Sequence, residues 1–174
     1  MITKLILIGL LLLAAAPFAI HMFREAGEHL CNGAIVNITP KGRATRLGDV
    51  QFTQRYLLGK AGSDASHITL AGAGDNPLGV VTDQTPSTDA SGDLSYPLPI
   101  NFFGLNEDTE RVIASAAMSV GDLVVPAANG LVQTLPIHGG GTAYVIGKAL
   151  TPATASGDQI EIIPIFPVAT TIPA

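Results

Sequence analysis

A polar stretch of eight or nine residues occurs twice in this sequence, and it constrains the fold more than any other feature. Residues 85–93 read Thr-Pro-Ser-Thr-Asp-Ala-Ser-Gly-Asp and residues 151–158 read Thr-Pro-Ala-Thr-Ala-Ser-Gly-Asp, so that seven of eight aligned positions are identical once Asp89 is omitted. An apolar run precedes each copy, and an alternating apolar run follows it. The units 78–100 and 146–165 are therefore predicted to be β-hairpins with polar tips. Two copies are too few for a solenoid, so the repeat favours a small β-barrel or sandwich built from two similar halves.

The composition also favours compact β-structure. The chain of 174 residues is 47% hydrophobic and only 13% charged, whereas an ordinary globular chain is about 25% charged. Its 19 glycines and 12 prolines suit short strands joined by tight turns. So few charges indicate that partners cover much of the surface. The net charge of −5 argues against direct binding of nucleic acid, which requires a basic surface.

The first 20 residues form an apolar segment that allows three interpretations. One lysine, an apolar run from Leu5 and small residues at 14–16 match the outline of a secretory signal peptide. Pro17 makes both candidate cleavage sites poor. Residues 5–20 as a helix would span roughly 24 Å, which is less than the ~30 Å hydrocarbon core. A signal peptide is the best match, an arm that docks on another subunit comes second, and a spanning anchor comes last.

We expect two parts, a helical apolar arm at 1–30 and a β-domain at 31–174. Apolar runs bounded by turn residues predict the strands of that domain. They lie near 34–39, 54–58, 67–70, 78–82, 94–100, 111–114, 123–125, 131–135, 143–149 and 159–165. Asn129-Gly130 predicts a tight hairpin, because such turns need positive φ angles. Proline lacks the donor that a strand pair needs, so we expect edge strands or strand ends at Pro97, Pro99, Pro136 and Pro164.

Three further local features have structural interpretations. Lys41, Arg43 and Arg46 form a basic stretch, which we interpret as a solvated turn; the alternative is an ionic contact with an acidic neighbour in an assembly. Cys31 is the only cysteine, so no disulfide within the chain is possible. Asp93 and Asp158 occupy matching positions of the repeat, and we expect each to hold its turn by hydrogen bonds to the backbone.

The motifs that resemble catalytic or ligand-binding sites lack residues or spacings that such sites require. The His138–Gly141 stretch is like the oxyanion loop of esterases, but the sequence has no Gly-x-Ser-x-Gly elbow. The stretch from Gly141 to Ala149 has five residues between its glycines instead of four, and Ala149 stands where a phosphate loop needs a hydroxyl. The four histidines lack the spacing of metal ligands. We therefore predict no catalytic, cofactor-binding or metal-binding residues.

The chain from about residue 23 to residue 167 resembles the capsid decoration, or cement, proteins of tailed bacteriophages. The resemblance is carried by short motifs of strands and turns in a fixed order. They are Arg55-Tyr-Leu-Leu-Gly-Lys60, Gly62-Ser-Asp-Ala-Ser-His-Ile68, Pro77-Leu-Gly-Val-Val81, Val112-Ile-Ala-Ser-Ala-Ala117, Gly121-Asp-Leu-Val-Val125, Asn129-Gly-Leu-Val132 and Ile146-Gly-Lys-Ala-Leu150. The apolar segment at 1–23 departs from the family pattern.

The resemblance implies a small β-barrel on the outside of an icosahedral head, often a trimer, that bridges subunits of the major capsid protein and stiffens the shell. The implied partners are the major capsid protein and further copies of this chain, as a trimer or another homo-oligomer, without cofactor or enzymatic activity. The alternative is an exported or membrane-anchored β-domain of the bacterial cell envelope, with membrane contact through residues 1–23. We expect partner-binding residues in the arm and in the basic stretch: Leu5, Leu10, Leu12, Phe18, Phe23, Arg43 and Arg46.

Overall fold

The computed structural model describes residues 42–85, 97–105 and 108–174, and those residues are mainly β, as the sequence predicts. They form ten strands in chain order. The strands are β1 (Arg43–Gly48), β2 (Leu57–Ala61), β3 (His67–Leu70), β4 (Gly79–Val81), β5 (Pro97–Phe102), β6 (Glu110–Ile113), β7 (Leu123–Pro126), β8 (Val132–Thr134), β9 (Thr142–Ala149) and β10 (Gln159–Thr171). Most are short, with glycine and proline in the connections.

The first five strands close into a small barrel with the order β1-β3-β2-β4-β5. The first and last of these strands close it, with Ala44 opposite Ile100 and Arg46 opposite Leu98. Only β1 and β3 run parallel among the described strand pairs of the barrel, whereas the other pairs are antiparallel. Closure leaves no exposed edge along the paired length of these strands.

The second sheet has the order β6-β10-β9-β7-β8. The long β10 lies between β6 and β9: its first part pairs with β6 up to Ile162, opposite Glu110. Among the described residues, its later part pairs with β9, with an irregular register between Pro164 and Val168. The predicted hairpin joins β7 to β8, and its tip residues Asn129 and Gly130 have φ angles of 61° and 74°.

One apolar core joins the two sheets. Leu58 and Val80 of the barrel belong to the same buried cluster as Ile146, Ile160 and Ile162 of the second sheet. A second cluster fills the barrel itself and includes Phe52, which is fully buried. The hairpin tip adds a contact between the sheets, because the Gly130 amide donates to the Ala71 carbonyl oxygen at 2.7 Å.

The described part of the basic stretch, Arg43 to Arg46, is strand rather than turn, which corrects the interpretation from the sequence. Arg43–Gly48 is strand β1, in which buried Ala44 alternates with exposed Arg43 and Thr45. A small buried side chain between two polar ones follows the two-residue period of a half-buried strand. The cations obscured this period in the sequence. The predicted strand at 54–58 also begins later, at Leu57.

The prolines of β5 do not mark an edge, because β5 pairs with both β1 and β4. The Phe102 amide donates to Gly42 beside β1, and the Phe103 amide donates to Leu78 beside β4. Backbone groups alternate in direction along a strand, so the nitrogens of Pro97 and Pro99 face the β4 side. The pairs with β4 begin at Ile100, and beyond them the Thr82 amide still donates to the Pro99 carbonyl oxygen at 3.0 Å. The missing N–H of Pro99 therefore removes one donor at the end of this strand pair and leaves the rest intact.

Several predictions fall outside the described residues: the arm at 1–30, the strand at 34–39, Cys31 and the turn of Asp93. The two repeat units are antiparallel pairs in different sheets, β4 with β5 and β9 with β10. The tip of the first unit, within 86–96, also lies outside the described residues. The superposition of the two units as a repeat stays a prediction.

Candidate interaction surface

The predicted partner-binding residues separate into two groups. Leu5, Leu10, Leu12, Phe18 and Phe23 lie outside the described residues. Arg43 and Arg46 lie three positions apart on β1, which places them on opposite faces of the strand.

The two arginines have different surroundings. The Arg46 guanidinium lies 5.7 Å from the centre of the Phe102 ring, within the range of a cation–π contact. Partial burial lowers the pKa of Arg46, although the group stays charged at any ordinary pH. Arg43 is exposed on the other face. The structure therefore does not combine the two cations into one basic patch.

The second half of β10 presents an apolar surface that we did not predict from the sequence. Four of its side chains, Ile163, Ile165, Phe166 and Val168, are between 40% and 68% exposed. Residues 162–174 include no charged side chain. An exposed cluster of large apolar side chains is typical of a contact surface. Ile163 pairs with Lys148 and Val168 pairs with Val145, so these two side chains lie on opposite faces of the strand. We call the four residues together the β10 surface.

The sequence did contain a signal for this surface. Ile160 and Ile162 are buried in the core, whereas Ile163 and Ile165 are exposed. A strand that is apolar at all of these positions has an apolar side chain on both faces. Such a strand is either covered on both faces or presents one of them to a partner.

The β10 surface continues onto the connection after β5. Gly104 has a φ of +75°, and a Cβ atom placed there would overlap the Phe166 ring. The ring therefore packs directly on the backbone of this turn. The adjacent Leu105 is 56% exposed, so it extends the apolar area toward Gly42, whose added Cβ would lie 2.6 Å from the Leu105 Cβ.

A polar network holds the turn between β2 and β3. Asp64 Oδ1 accepts hydrogen bonds from the amide and hydroxyl of Ser66 at 2.7 and 2.8 Å. His67 Nδ1 lies 2.7 Å from the same oxygen. The hydrogen bond to Asp64 raises the pKa of His67, and the same contact holds the pKa of Asp64 below its usual range.

This network does not form a nucleophilic site. The Ser66 hydroxyl donates to Asp64 rather than to the imidazole, whereas a nucleophilic serine needs a hydrogen bond to its base. The sequence predicted His67 only as a strand residue and missed its link to Asp64.

Asp158 holds the turn of the second repeat unit as predicted. Its Oδ2 accepts from the Thr154 amide at 2.7 Å, the Thr154 hydroxyl at 2.8 Å and the Ala155 amide at 3.0 Å. These bonds lower the pKa of Asp158, with the Thr154 hydroxyl as the largest cause. The carboxylate thus has a structural role.

The His138–Gly141 stretch forms the connection between β8 and β9, with positive φ at all three of its glycines. It borders an open groove of about 330 Å³ whose lining includes Gln133, His138 and Ile172. Within the described ranges, no group of three or more His, Cys, Asp or Glu side chains could hold a metal ion.

Glu110 is a buried carboxylate between the two sheets, 6% exposed. The Asn101 side-chain amide donates to both of its oxygens, at 2.9 and 3.1 Å. This contact joins β5 of the barrel to β6 of the second sheet. Its position between the sheets indicates a role in packing.

Across residues 42–85, 97–105 and 108–174, the structure contains no helix with the length and apolar character needed to cross a bilayer.

Comparison with known proteins identifies a likeness in fold. No protein-family model matches the sequence, and a search of curated proteins finds no match. Among solved structures, the chain is similar to the crystal structure of the head fiber gp8.5 N base in bacteriophage phi29, with a TM-score of 0.51 and 18% sequence identity. The similarity covers 72% of this chain and 94% of that chain. The two proteins therefore share a β-fold over most of their lengths.

Proposed function

We propose that this protein is a structural component of a phage virion that binds the outside of the capsid and stabilises it through contacts with subunits of the major capsid protein. The observation that carries the proposal is the fold shared with the base of a phage head fiber. The strand-and-turn motifs that resemble the decoration proteins support the same role independently of that likeness.

The β10 surface supplies the kind of contact that this role needs. Burying a side chain the size of isoleucine or phenylalanine stabilises a complex by about 1.5–3 kcal/mol when the side chain is fully covered. Four such side chains are exposed along the second half of β10, without a charge in residues 162–174. A shell offers many identical sites, so that modest affinities add up where one oligomer bridges several subunits.

The proposed role involves no catalysis. The serine, histidine and carboxylate groups of the turn between β2 and β3 bond to one another in an arrangement that holds a turn. The carboxylate of Asp158 is likewise occupied by three donors of its own turn. The protein would act through buried area and symmetry, as a trimer or another homo-oligomer.

The proposal is tested by co-sedimentation of the purified full chain with heads of the phage that encodes it, prepared without this protein. We expect saturable binding, and we expect heads with bound protein to withstand a higher temperature before they release DNA. Ile165→Asp and Phe166→Asp should weaken binding at least about tenfold, since each places a charge in an apolar contact. Ile137→Asp is the matched control, because Ile137 is 77% exposed on a separate loop.

Two results would overturn the proposal. One is the absence of saturable binding to heads. The other is fractionation of the native protein with the cell envelope, which would favour the exported or membrane-anchored alternative. Equal binding by the Ile165→Asp and Ile137→Asp variants would instead show that the contact lies elsewhere on the protein.

A further inference from the structure

One face of the second sheet packs in the core and the other lies outside it. Ile162 of β10 and Ala149 of β9 are buried in the cluster shared with the barrel. Successive side chains of a strand point to opposite faces, so Ile163 and Lys148 point away from this core. Both are exposed, and they lie directly opposite each other on the two strands. We call this side of the second sheet the outer face.

Four neighbouring side chains form a compact block on the outer face. Ile163 and Glu161 lie two positions apart on β10, and Lys148 pairs with Ile163. Leu150 follows β9 and lies beside Glu161, because the Leu150 amide donates to the Glu161 carbonyl oxygen at 2.8 Å. Paired strands are about 4.8 Å apart, and alternate residues of one strand are about 6.8 Å apart. The four residues therefore occupy the corners of a nearly square area, which we call the outer block.

The outer block has its charges on one diagonal and its apolar side chains on the other. Lys148 lies diagonally across from Glu161, and Ile163 lies diagonally across from Leu150. Ile163 is 49% exposed and Leu150 is 37% exposed. A two-fold axis along the apolar diagonal exchanges the two ends of the charged diagonal. A surface with this pattern is therefore complementary to a second copy of itself.

The charged groups of the outer block are available for such a contact. Lys148 forms no ion pair with a carboxylate of residues 42–85, 97–105 or 108–174. The Thr109 hydroxyl donates to Oε1 of Glu161, and the other oxygen of this carboxylate has no partner among the described residues. A cation and a carboxylate in this state are suited to charge-assisted hydrogen bonds across a contact.

We propose that the outer face binds a second copy of this chain through a two-fold contact centred on the outer block. Ile163 and Leu150 each pack against the same residue of the second copy, and Lys148 of each copy bonds to Glu161 of the other. A contact of this size belongs to the weak class of protein interfaces, so we expect a reversible dimer. The contact does not depend on capsid binding, and it uses only Ile163 of the β10 surface.

The residues around the outer block are compatible with this arrangement. Leu123 is 45% exposed and pairs with Lys148 on the β7 side, so it widens the apolar area. Arg111 pairs with Glu161 on the β6 side. The two-fold axis sets Arg111 against residues 142–147 of β9 in the second copy, which carry no charge. The arrangement therefore brings no like charges together.

The test is sedimentation velocity of the full chain over a range of concentrations, without phage heads. We compare the unmodified chain with Lys148→Glu, with Glu161→Lys and with the variant that carries both substitutions. Each single reversal sets like charges against each other in both halves of the symmetric contact and should weaken the dimer at least about tenfold. The double variant exchanges the two ends of the charged diagonal and should restore the affinity to within about threefold.

Two controls accompany the charge reversals. The single variants change the net charge of the chain in opposite directions, so weakening in both is not an effect of net charge. Ile163→Asp should also weaken the dimer, because it sets two carboxylates against each other near the axis. Ile137→Asp adds the same charge on a separate loop, where Ile137 is 77% exposed, and should leave the dimer unchanged.

An unmodified chain that stays monomeric at every concentration would overturn the proposal, and so would a double variant that associates as weakly as the single variants. Equal association in all four forms would show that copies of the chain meet elsewhere. A trimer as the associated species would also contradict the proposal, because a two-fold contact closes at two copies. Binding to heads is measured separately with Ile165→Asp and Phe166→Asp, so that the two proposals can fail independently.

Discussion

Single carboxylates hold the turns of this protein, and the contact between Asp64 and His67 makes one turn sensitive to pH. The hydrogen bond from the imidazole to Asp64 is the largest cause of the raised pKa of His67. The lowered pKa of Asp64 keeps that carboxylate ionised throughout the range in which the histidine titrates. A group with a raised pKa in the folded state stabilises that state in its protonated form.

We predict that His67→Asn removes a part of the stability that depends on pH. The stabilisation is fully present below the unfolded pKa of histidine, about 6.5, and is lost as the pH rises through the raised pKa of the folded state. The unmodified chain should therefore exceed the variant in urea midpoint by more at about pH 5.5 than at about pH 8.5. His138→Asn is the control. An equal difference at both pH values would contradict the assigned contact.

A glycine at the tip of the hairpin between β7 and β8 combines two constraints. Gly130 has a φ of +74°, and a Cβ atom placed there would lie 3.0 Å from Leu57 and from Leu70. Gly157 has a φ of +93° but no atom within 4 Å of an added Cβ. At Gly130, both the backbone conformation and the packing disfavour a side chain. At Gly157, only the backbone conformation does so.

We predict that Gly130→Ala destabilises the protein by about 2–4 kcal/mol, from strain at positive φ together with overpacking. Gly157→Ala should cost about 1–2 kcal/mol, because only the backbone strain applies. Chemical denaturation of the two variants measures the difference. Equal losses of stability in the two variants would show that the barrel residues near Gly130 move to admit the extra methyl group.

At the scale of whole elements, the sequence predicted strands where the alternation of apolar residues was not masked by charge. β3 occupies the predicted residues 67–70, and the Asn129-Gly130 hairpin forms where its turn residues indicated. β1 was missed because Arg43 and Arg46 obscure the alternation around its buried Ala44. Pro97 begins β5, which agrees with the predicted strand end. The alternative of an edge strand is wrong for β5, since proline identity does not say which side of a strand its nitrogen faces.

Gly79 of β4 and Gly147 of β9 provide a test of the predicted equivalence of the two hairpins. A Cβ atom at Gly79 would overlap the Asn101 carbonyl, and one at Gly147 would overlap the Ile163 carbonyl. In each case the carbonyl belongs to the residue before the paired one, Phe102 or Pro164. The two glycines thus permit the same close approach of strands.

We predict that Gly79→Ala and Gly147→Ala each destabilise the protein by more than about 2 kcal/mol, because a backbone strand must move to admit the methyl group. Gly72→Ala is the control, since its nearest contact is a side-chain oxygen of Asp75 at 3.2 Å. Urea denaturation measures the losses. A small loss at only one of the two glycines would argue against equivalent hairpins.

At the scale of the molecule, a mainly β fold with a small barrel could be predicted from repeats, turns and composition. The candidate surface could not be located in this way. Whether Ile163 or Ile162 faces the core depends on the register between β10, β6 and β9, which involves residues far apart in the sequence. The same limit applies to the Asn101–Glu110 contact between the sheets.

The shared core predicts that the barrel and the second sheet unfold together. Leu58 and Val80 pack in one cluster with Ile146 and Ile160, so neither sheet can lose its partner without exposing its own buried face.

Ile160→Ala should cost about 2–5 kcal/mol, from lost transfer energy and the cavity left behind. Because Ile160 lies in the second sheet, its substitution would not lower the stability of a barrel that unfolds independently. In the Ile160→Ala variant, we expect the slowest-exchanging amides of β2 and of β9 to lose equal protection against hydrogen exchange. Unchanged protection in β2 would show that the barrel is stable alone.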